Sequence, residues 1–417
     1  MTTVEAAATP RSAAAGAGQL EYHLLVLVTL ALVAFGLVMV YSASSGSAIV
    51  GAGDPMYYLK RQALFAGLGL VGMAFFARLD YRSLRRLAPP LLLGSCVLLV
   101  LVLLAAPPVN GARRWLAVGG FAIQPSEFAK LALAIWVAGV LATRPVPRTL
   151  GEFFRPLGLV TGIACGLVLL EPDLGTVIAV AIMLGATLLV AGAPVRLLAS
   201  AAGLGVALGL AAIWLEPYRR TRFFSFLDPW ADPQGAGYQT VQAMISLGSG
   251  GPFGVGLGQG VGKVNYLPEA HTDMIFAIIG EELGLVGSAA LILAFLAFGY
   301  AGFNVALRCK EPFGKRLAVG LTAMILGQAA LNMSAVMGLA PLTGIPLPFV
   351  SYGGSSLLVM LCSVGVLLNI AVNRAARSAP AEVPDRRRRN RRPRAAVARG
   401  RGSAERARGG RRIRGVA

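Results

Sequence analysis

Residues 24–44 read Leu24-Leu25-Val26-Leu27-Val28-Thr29-Leu30-Ala31-Leu32-Val33-Ala34-Phe35-Gly36-Leu37-Val38-Met39-Val40-Tyr41-Ser42-Ala43-Ser44, an apolar run without a single charge. About 20 such residues span the hydrocarbon core of a bilayer as one helix. The stretch before it, up to Tyr22, is polar and Ala-rich. The run itself is too long for the apolar region of a cleavable signal, so it is expected to stay as a span. Nine further runs follow, near 62–77, 88–106, 126–143, 156–171, 174–193, 196–214, 274–307, 317–338 and 355–373. The fifth and sixth are parted only by Pro172-Asp173, and the eighth is too long for one straight span. The expected fold is an all-α integral membrane protein with ten transmembrane helices.

Composition points the same way. Of 417 residues, 56% are hydrophobic and only 14% charged, against roughly 25% charged in soluble domains. A cytosolic enzyme is excluded. The net charge of +19 suggests nucleic acid until it is located: from Arg374 onward there are sixteen arginines and three acids, so +13 sits in the tail. Residues 376–417 have too few large apolar side chains to fold alone and are expected to be disordered. Such a tail is expected to touch anionic lipid, at about 1 kcal/mol per basic residue, or to dock a cytoplasmic partner; no nucleic acid is expected.

Basic residues sort the loops into two sets. One holds Arg78, Arg82, Arg85, Arg86, Arg144, Arg148, Arg155, Arg196, Arg308, Lys310, Lys315, Arg316 and the tail; the other holds Lys60, Arg61, Arg113, Arg114, Arg219, Arg220, Arg222 and Lys263. The first set outweighs the second. Both termini are therefore expected in the cytoplasm, with residues 1–22 a cytoplasmic segment, 23–375 the membrane domain, and 215–272 a large extracytoplasmic loop between helices 7 and 8. The four cysteines, Cys96, Cys165, Cys309 and Cys362, have no CxxC spacing and read as small buried hydrophobes.

Charge inside a membrane costs about 2.5–3.5 kcal/mol at mid-bilayer, so embedded ionisable residues invite a functional reading. Gln124-Pro125-Ser126-Glu127-Phe128-Ala129-Lys130 opens a span, with Pro125 at the first helical position. Glu127 and Lys130 share a helix face and can pair, either as an interfacial salt bridge or lining a polar cavity with Arg113 and Arg114. In Glu171-Pro172-Asp173, Asp173 suits a helix cap. Leu267-Pro268-Glu269-Ala270-His271-Thr272-Asp273 leads into a helix carrying Glu281 and Glu282. Thr272 or Asp273 could cap that helix, but a cap explains neither glutamate. An acid at the mouth of a cavity suits a general base or a metal ligand. The Gly-rich stretch 248–263 has Leu257 and Val264 where a phosphate-binding GxxxxGK[ST] loop needs Gly and Ser or Thr, so it is no nucleotide loop. Residues 238–247 before it suit a short helix on the membrane surface.

Four motifs, in order, resemble the SEDS family (shape, elongation, division and sporulation): residues 124–130, 172–176, 266–273 with Gly280-Glu281-Glu282-Leu283-Gly284, and Gly344-Ile345-Pro346-Leu347-Pro348-Phe349-Val350-Ser351-Tyr352-Gly353-Gly354-Ser355-Ser356. The resemblance covers about residues 23–375. The Val40–Ser44 end of the first span resembles the division member more than the elongation member. Met274 departs from the family's Phe, and the arginine tail is no part of the shared pattern. The resemblance implies a peptidoglycan glycosyltransferase of the bacterial inner membrane, active at the septum with other division proteins. It would polymerise lipid II into a nascent glycan strand beside a class B penicillin-binding protein.

Carried over residue by residue, the catalytic aspartate falls on Asp273 and the pocket pair on Glu127 and Lys130. Arg113, Arg114, Arg219, Arg220, Arg222 and Lys263 are candidate cations for the lipid pyrophosphate, with Glu269, His271 and Glu281 completing the expected substrate-binding set. A divalent cation (magnesium or manganese) at Asp273 is compatible with this chemistry, though no motif demands it. The alternatives are a lipid II flippase, which needs polar residues continuing to the cytoplasmic side, and a non-catalytic division scaffold.

Overall fold

The computed structural model describes residues 11–50, 56–108, 112–119, 121–264 and 267–378. The chain divides into Met1–Ser378 and Ala379–Ala417, so the arginine tail expected to be disordered lies outside the described residues, as do residues 1–10.

The helices are α1 (Arg11–Val50), α2 (Tyr57–Arg78), α3 (Tyr81–Ala105), α4 (Pro125–Thr143), α5 (Leu150–Phe153), α6 (Leu159–Leu170), α7 (Leu174–Ala191), α8 (Val195–Leu215), α9 (Pro217–Leu227), α10 (Tyr238–Ser249), α11 (Ile275–Arg308), α12 (Pro312–Val336) and α13 (Gly354–Ser378). Among the described residues ten segments are long and apolar enough to cross a membrane: Gln19–Ser45 of α1, α2, α3, α4, the α5–α6 segment Leu150–Leu170, α7, α8, α11, α12 and Gly354–Asn373 of α13. The protein is a ten-span, multi-pass membrane protein. Each apolar run becomes one span, but several helices begin earlier than hydropathy indicates. Asp80 accepts the Arg82 amide and Thr149 the Glu152 amide, and such capped first turns are polar. The first helix, likewise, begins at Arg11 rather than after Tyr22.

In lipid, every backbone polar group must be satisfied within the protein, and the irregular parts of the bundle obey this. α11 is not one straight rod. Gly284 breaks it with φ 66° and ψ −161°, a conformation open to glycine alone. Across the break the Gly-rich loop supplies the missing partners: Val255 and Gly256 amides donate to Glu281 and Glu282 carbonyls, at 3.0 Å each, and Leu285 and Val286 amides donate to Gly251 and Pro252 carbonyls. A Cβ at Gly284 would stand 2.4 Å from the Gly254 nitrogen. The stretch without a nucleotide signature is thus a backbone splint for a broken span.

α12 and α13 form the centre of the bundle, most of each span being buried, whereas almost none of α8 is. α10 exists as expected, but its Thr240, Val241, Ala243 and Ser246 are buried and it packs on α11. A feature the all-α expectation lacks is a hairpin before α4, β1 (Leu116–Val118) pairing antiparallel with β2 (Phe121–Ile123). None of the four cysteines is in a disulfide among the described residues; Cys309 is buried and the other three only half so.

Candidate active site

Asp273 lies just ahead of α11, half-buried. The helix's own cap position is Met274, which makes no side-chain cap, so the Asp273 carboxylate is not used as a cap. Thr272 Oγ1 stands 3.1 Å from Asp273 Oδ1 and 3.2 Å from Glu269 Oε2. Asn332 of α12 fixes the backbone here: its Nδ2 donates to the Asp273 carbonyl at 2.8 Å and to the Ile345 carbonyl at 2.9 Å. Burial pushes the Asp273 carboxyl up to about 6, the Glu269 charge adding to it against the Thr272 and backbone hydrogen bonds and the Arg222 charge. A carboxylate with a pKa close to the working pH is what proton abstraction requires.

Arg114 faces it across the loop after α12. Nη1 of Arg114 and Oδ2 of Asp273 each lie 3.9 Å from where a Cβ would stand at Gly344, a residue at φ 70°. The guanidinium is aimed by the turn between α6 and α7, donating to the Glu171 carbonyl at 2.7 Å and to the Pro172 carbonyl. In that turn Asp173 does cap α7, accepting the Thr176 amide at 3.0 Å, and it also accepts from Gln124 Nε2 at 3.3 Å. Gln124 is in turn tied through its amide to Ser355 Oγ of α13.

Glu171 is fully buried, and neither carboxylate oxygen has a hydrogen-bond partner among the described residues. Burial, then the Asp173 charge, raise its carboxyl to about 8 against the opposing Arg114. The native state therefore keeps a proton that the unfolded chain releases near 4.5, and stability is lost as pH rises from there towards 8. Glu171→Gln, which is neutral at every pH, is expected to raise the melting temperature at pH 8 and change it little at pH 5. Thermal unfolding in detergent at both pH values checks this; an equal shift at the two would remove the protonated Glu171.

The other expected site residues are dispersed. Glu127 and Lys130 pair at 2.9 Å with 1% and 0% exposure. Lys130 also donates to Gln328 Oε1 at 2.6 Å, and Gln328 Nε2 donates to the Pro346 carbonyl. The free space beside Ser126 and Lys130 is about 10 Å³, the lower limit for a single water; the pair is closed in this conformation and lines no open cavity. Lys263 pairs with Glu282 at 2.7 Å, joined by Ser42. Glu281 accepts the Val261 and Gly262 amides, so it holds the Gly-rich loop and does not share a surface with Asp273. His271 packs its ring 4.1 Å from Tyr58 and near Tyr352, and burial lowers its pKa. Arg113 bonds the Leu103 carbonyl, Arg219 the Ala212 and Leu169 carbonyls, and Arg220 lies over Trp214. Of the expected residues, Glu269 and Arg222 act on the Asp273 charge, and Arg114 lies near it across Gly344. The sequence reading missed Asn332 and Gln328, and gave Gln124 and Ser355, which lie within its motifs, no role of their own. Gln328 and Asn332, four apart in an otherwise apolar run, carried a readable signal of one polar helix face.

A sequence profile for FtsW, RodA and SpoVE, described as cell cycle protein, matches residues 22–376. The chain is 42% identical to the probable peptidoglycan glycosyltransferase FtsW of Trichlorobacter lovleyi, over 84% of this chain and 93% of that protein. It is equally 42% identical to the stage V sporulation protein E of Bacillus subtilis, over 84% and 96%. Among solved structures it resembles a chain from work on structural coordination of polymerization and crosslinking by a peptidoglycan synthase complex, with TM-score 0.71 and 32% identity over 84% of this chain and 97% of that one. The rod shape determining protein RodA of Thermus thermophilus aligns with TM-score 0.63 and 32% identity, over 84% and 96%. The chain belongs to the FtsW/RodA/SpoVE family.

Proposed function

We propose that this protein is a peptidoglycan glycosyltransferase that polymerises lipid II into glycan strands, working at the division septum beside a class B penicillin-binding protein. The observation that carries the chemistry is an uncapped, half-buried carboxylate, Asp273, with a pKa raised to about 6, beside a guanidinium held by backbone carbonyls. The names of its relatives support the substrate, and the likeness to a synthase-complex chain supports the partner. The charge of the loops argues for an orientation that puts Asp273 on the extracytoplasmic side.

Asp273 would take the proton from the acceptor sugar hydroxyl as its oxygen forms the new bond to the donor's anomeric carbon. The bond from that carbon to the lipid pyrophosphate breaks, and the electron pair leaves with the pyrophosphate, which needs cations rather than an acid. Arg114 and Arg222 are placed to meet that charge. An α-linked donor giving a β-linked strand is a single inverting displacement, so no second nucleophile is required.

For a divalent cation, Asp273 and Glu269 on either side of the Thr272 hydroxyl offer two carboxylates. That suits magnesium or manganese completed by substrate phosphates; it would add positive charge against the pyrophosphate. Among the described residues no group of three or more acidic, His or Cys ligands forms, so a fully protein-made metal cage is not proposed.

Purified protein with its transpeptidase partner and labelled lipid II tests the reading: wild type should form polymer. Translocation in vesicles without polymer would make it a flippase, and neither activity would make it a scaffold. The pH profile is a second expected outcome. Because Asp273 must be unprotonated, the rate should fall about tenfold per pH unit below about 6 and level off above. A flat profile through that range would remove Asp273 as the base.

A further inference from the structure

A cavity of about 570 Å³ opens at the end of the bundle opposite Asp273, between the last turn of α4 and the break that separates α5 from α6. Its size falls within the range of ligand pockets, roughly 300–1,000 Å³. The break is formed by Arg155, whose backbone (φ −119°, ψ 98°) leaves the helical region. Arg144 and Arg155 both line the cavity, and neither guanidinium has an ion-pair or hydrogen-bond partner among the described residues. The one acid in the lining, Glu152, already accepts the Arg148 amide at 2.8 Å. Arg316 of α12 donates to the carbonyl of Leu141 in the cavity wall, bringing a third guanidinium close.

Two unpaired guanidiniums match the oxygens of a phosphate, which arginine binds in a bidentate fork. The walls also carry Val140 and Leu157. From the cavity the exposed side chains of Leu159 and Ile163, 60% and 55% accessible, run one turn apart along the outer face of α6. A phosphate held at the span end with an apolar track leading into the bilayer fits a lipid better than a soluble anion, and basic pockets between membrane helices hold anionic headgroups. We propose that this cavity binds the phosphodiester headgroup of an anionic phospholipid, with an acyl chain along Leu159 and Ile163.

Native mass spectrometry of the full chain, from micelles doped with cardiolipin or phosphatidylglycerol against phosphatidylcholine, tests this. Wild type should retain the two anionic lipids preferentially, and Arg144→Gln with Arg155→Gln should weaken that retention about tenfold at an unchanged melting temperature. Gly151→Phe is the second variant: Gly151 lines the cavity, nothing lies within 4 Å of its Cβ position, and the new ring removes volume without touching a charge. It too should reduce retention, which keeps the test decisive if the double variant folds poorly. Equal retention of all three lipids by wild type, or unchanged retention in folded variants, overturns the proposal. So does inorganic phosphate binding to lipid-free protein while anionic lipid shows no preference, since that would assign the cavity to a soluble anion.

Discussion

Asp273→Asn is expected to lower polymerisation by about 10²–10⁴ while leaving membrane insertion and melting temperature near wild type. Asparagine has the same shape and can still accept from the Thr272 hydroxyl, and the Asn332 bond to the backbone carbonyl is untouched. No helix cap is lost, because the Asp273 carboxylate does not cap α11. Replacing a half-buried carboxylate by an amide also lifts a desolvation cost, so the variant should be at least as stable as wild type, whereas a structural role for the charge would make it less stable. What disappears is the carboxylate's capacity to take a proton or hold a cation. Retained polymerase activity in a well-folded Asn variant would refute both.

Lys130→Met should be the most destabilising single change. It strands Glu127, 1% exposed with one carboxylate oxygen already lacking a hydrogen-bond partner among the described residues, and it removes the Lys130 donor from Gln328 Oε1. Removing one partner of a buried ion pair costs about 3–5 kcal/mol. Neutralising both, Glu127→Gln with Lys130→Met, should recover most of that loss. Exchanging the charges, Glu127→Lys with Lys130→Glu, should recover only part. A carboxylate at 130 would face Gln328 Oε1, and turning that amide over would sacrifice its bond to the Pro346 carbonyl. The exchange would also put a cation in the first turn of α4, against the helix dipole. Unfolding in detergent orders the four proteins. If the stable double-neutral variant polymerises lipid II, the pair is structural. If it is stable and inactive, Lys130 meets the pyrophosphate in a conformation more open than this one.

The site was legible to unequal depth. Glu127 and Lys130 were readable as partners because i, i+3 places them on one face whatever the surroundings. Asp173 was readable as a cap for the same local reason, and the structure has it capping α7. Asp273 was harder: position alone allowed a cap, and only the observed helix start at Ile275, one residue beyond Met274, rules that use out. A spacing of four puts Asp273, Ala277 and Glu281 roughly along one helix face, with Glu282 the next residue in the chain. The glycine break and the loop laid across it turn the two glutamates to Gly262 and Lys263 instead. No periodicity argument foresees that, because the loop's backbone completes the helix.

By itself the sequence determined ten spans, their order, and the small number of ionisable groups that need an explanation inside them. It could do so because a span in lipid satisfies its own backbone and shows its apolar surface as a local sum over about 20 residues. The tertiary structure alone decided which of those groups meet. Ser42 reaches Glu282, Gln62 reaches the Ser351 carbonyl, and Arg114 reaches the turn at Glu171; each contact joins residues far apart in the chain. It also decided that the Glu171 carboxylate is buried with no hydrogen-bond partner among the described residues and that Arg144 and Arg155 flank a cavity. The physical reason is that burial and pairing of a charge depend on what lies across a helix interface, and hydropathy along one chain segment contains nothing about the neighbour on the other side.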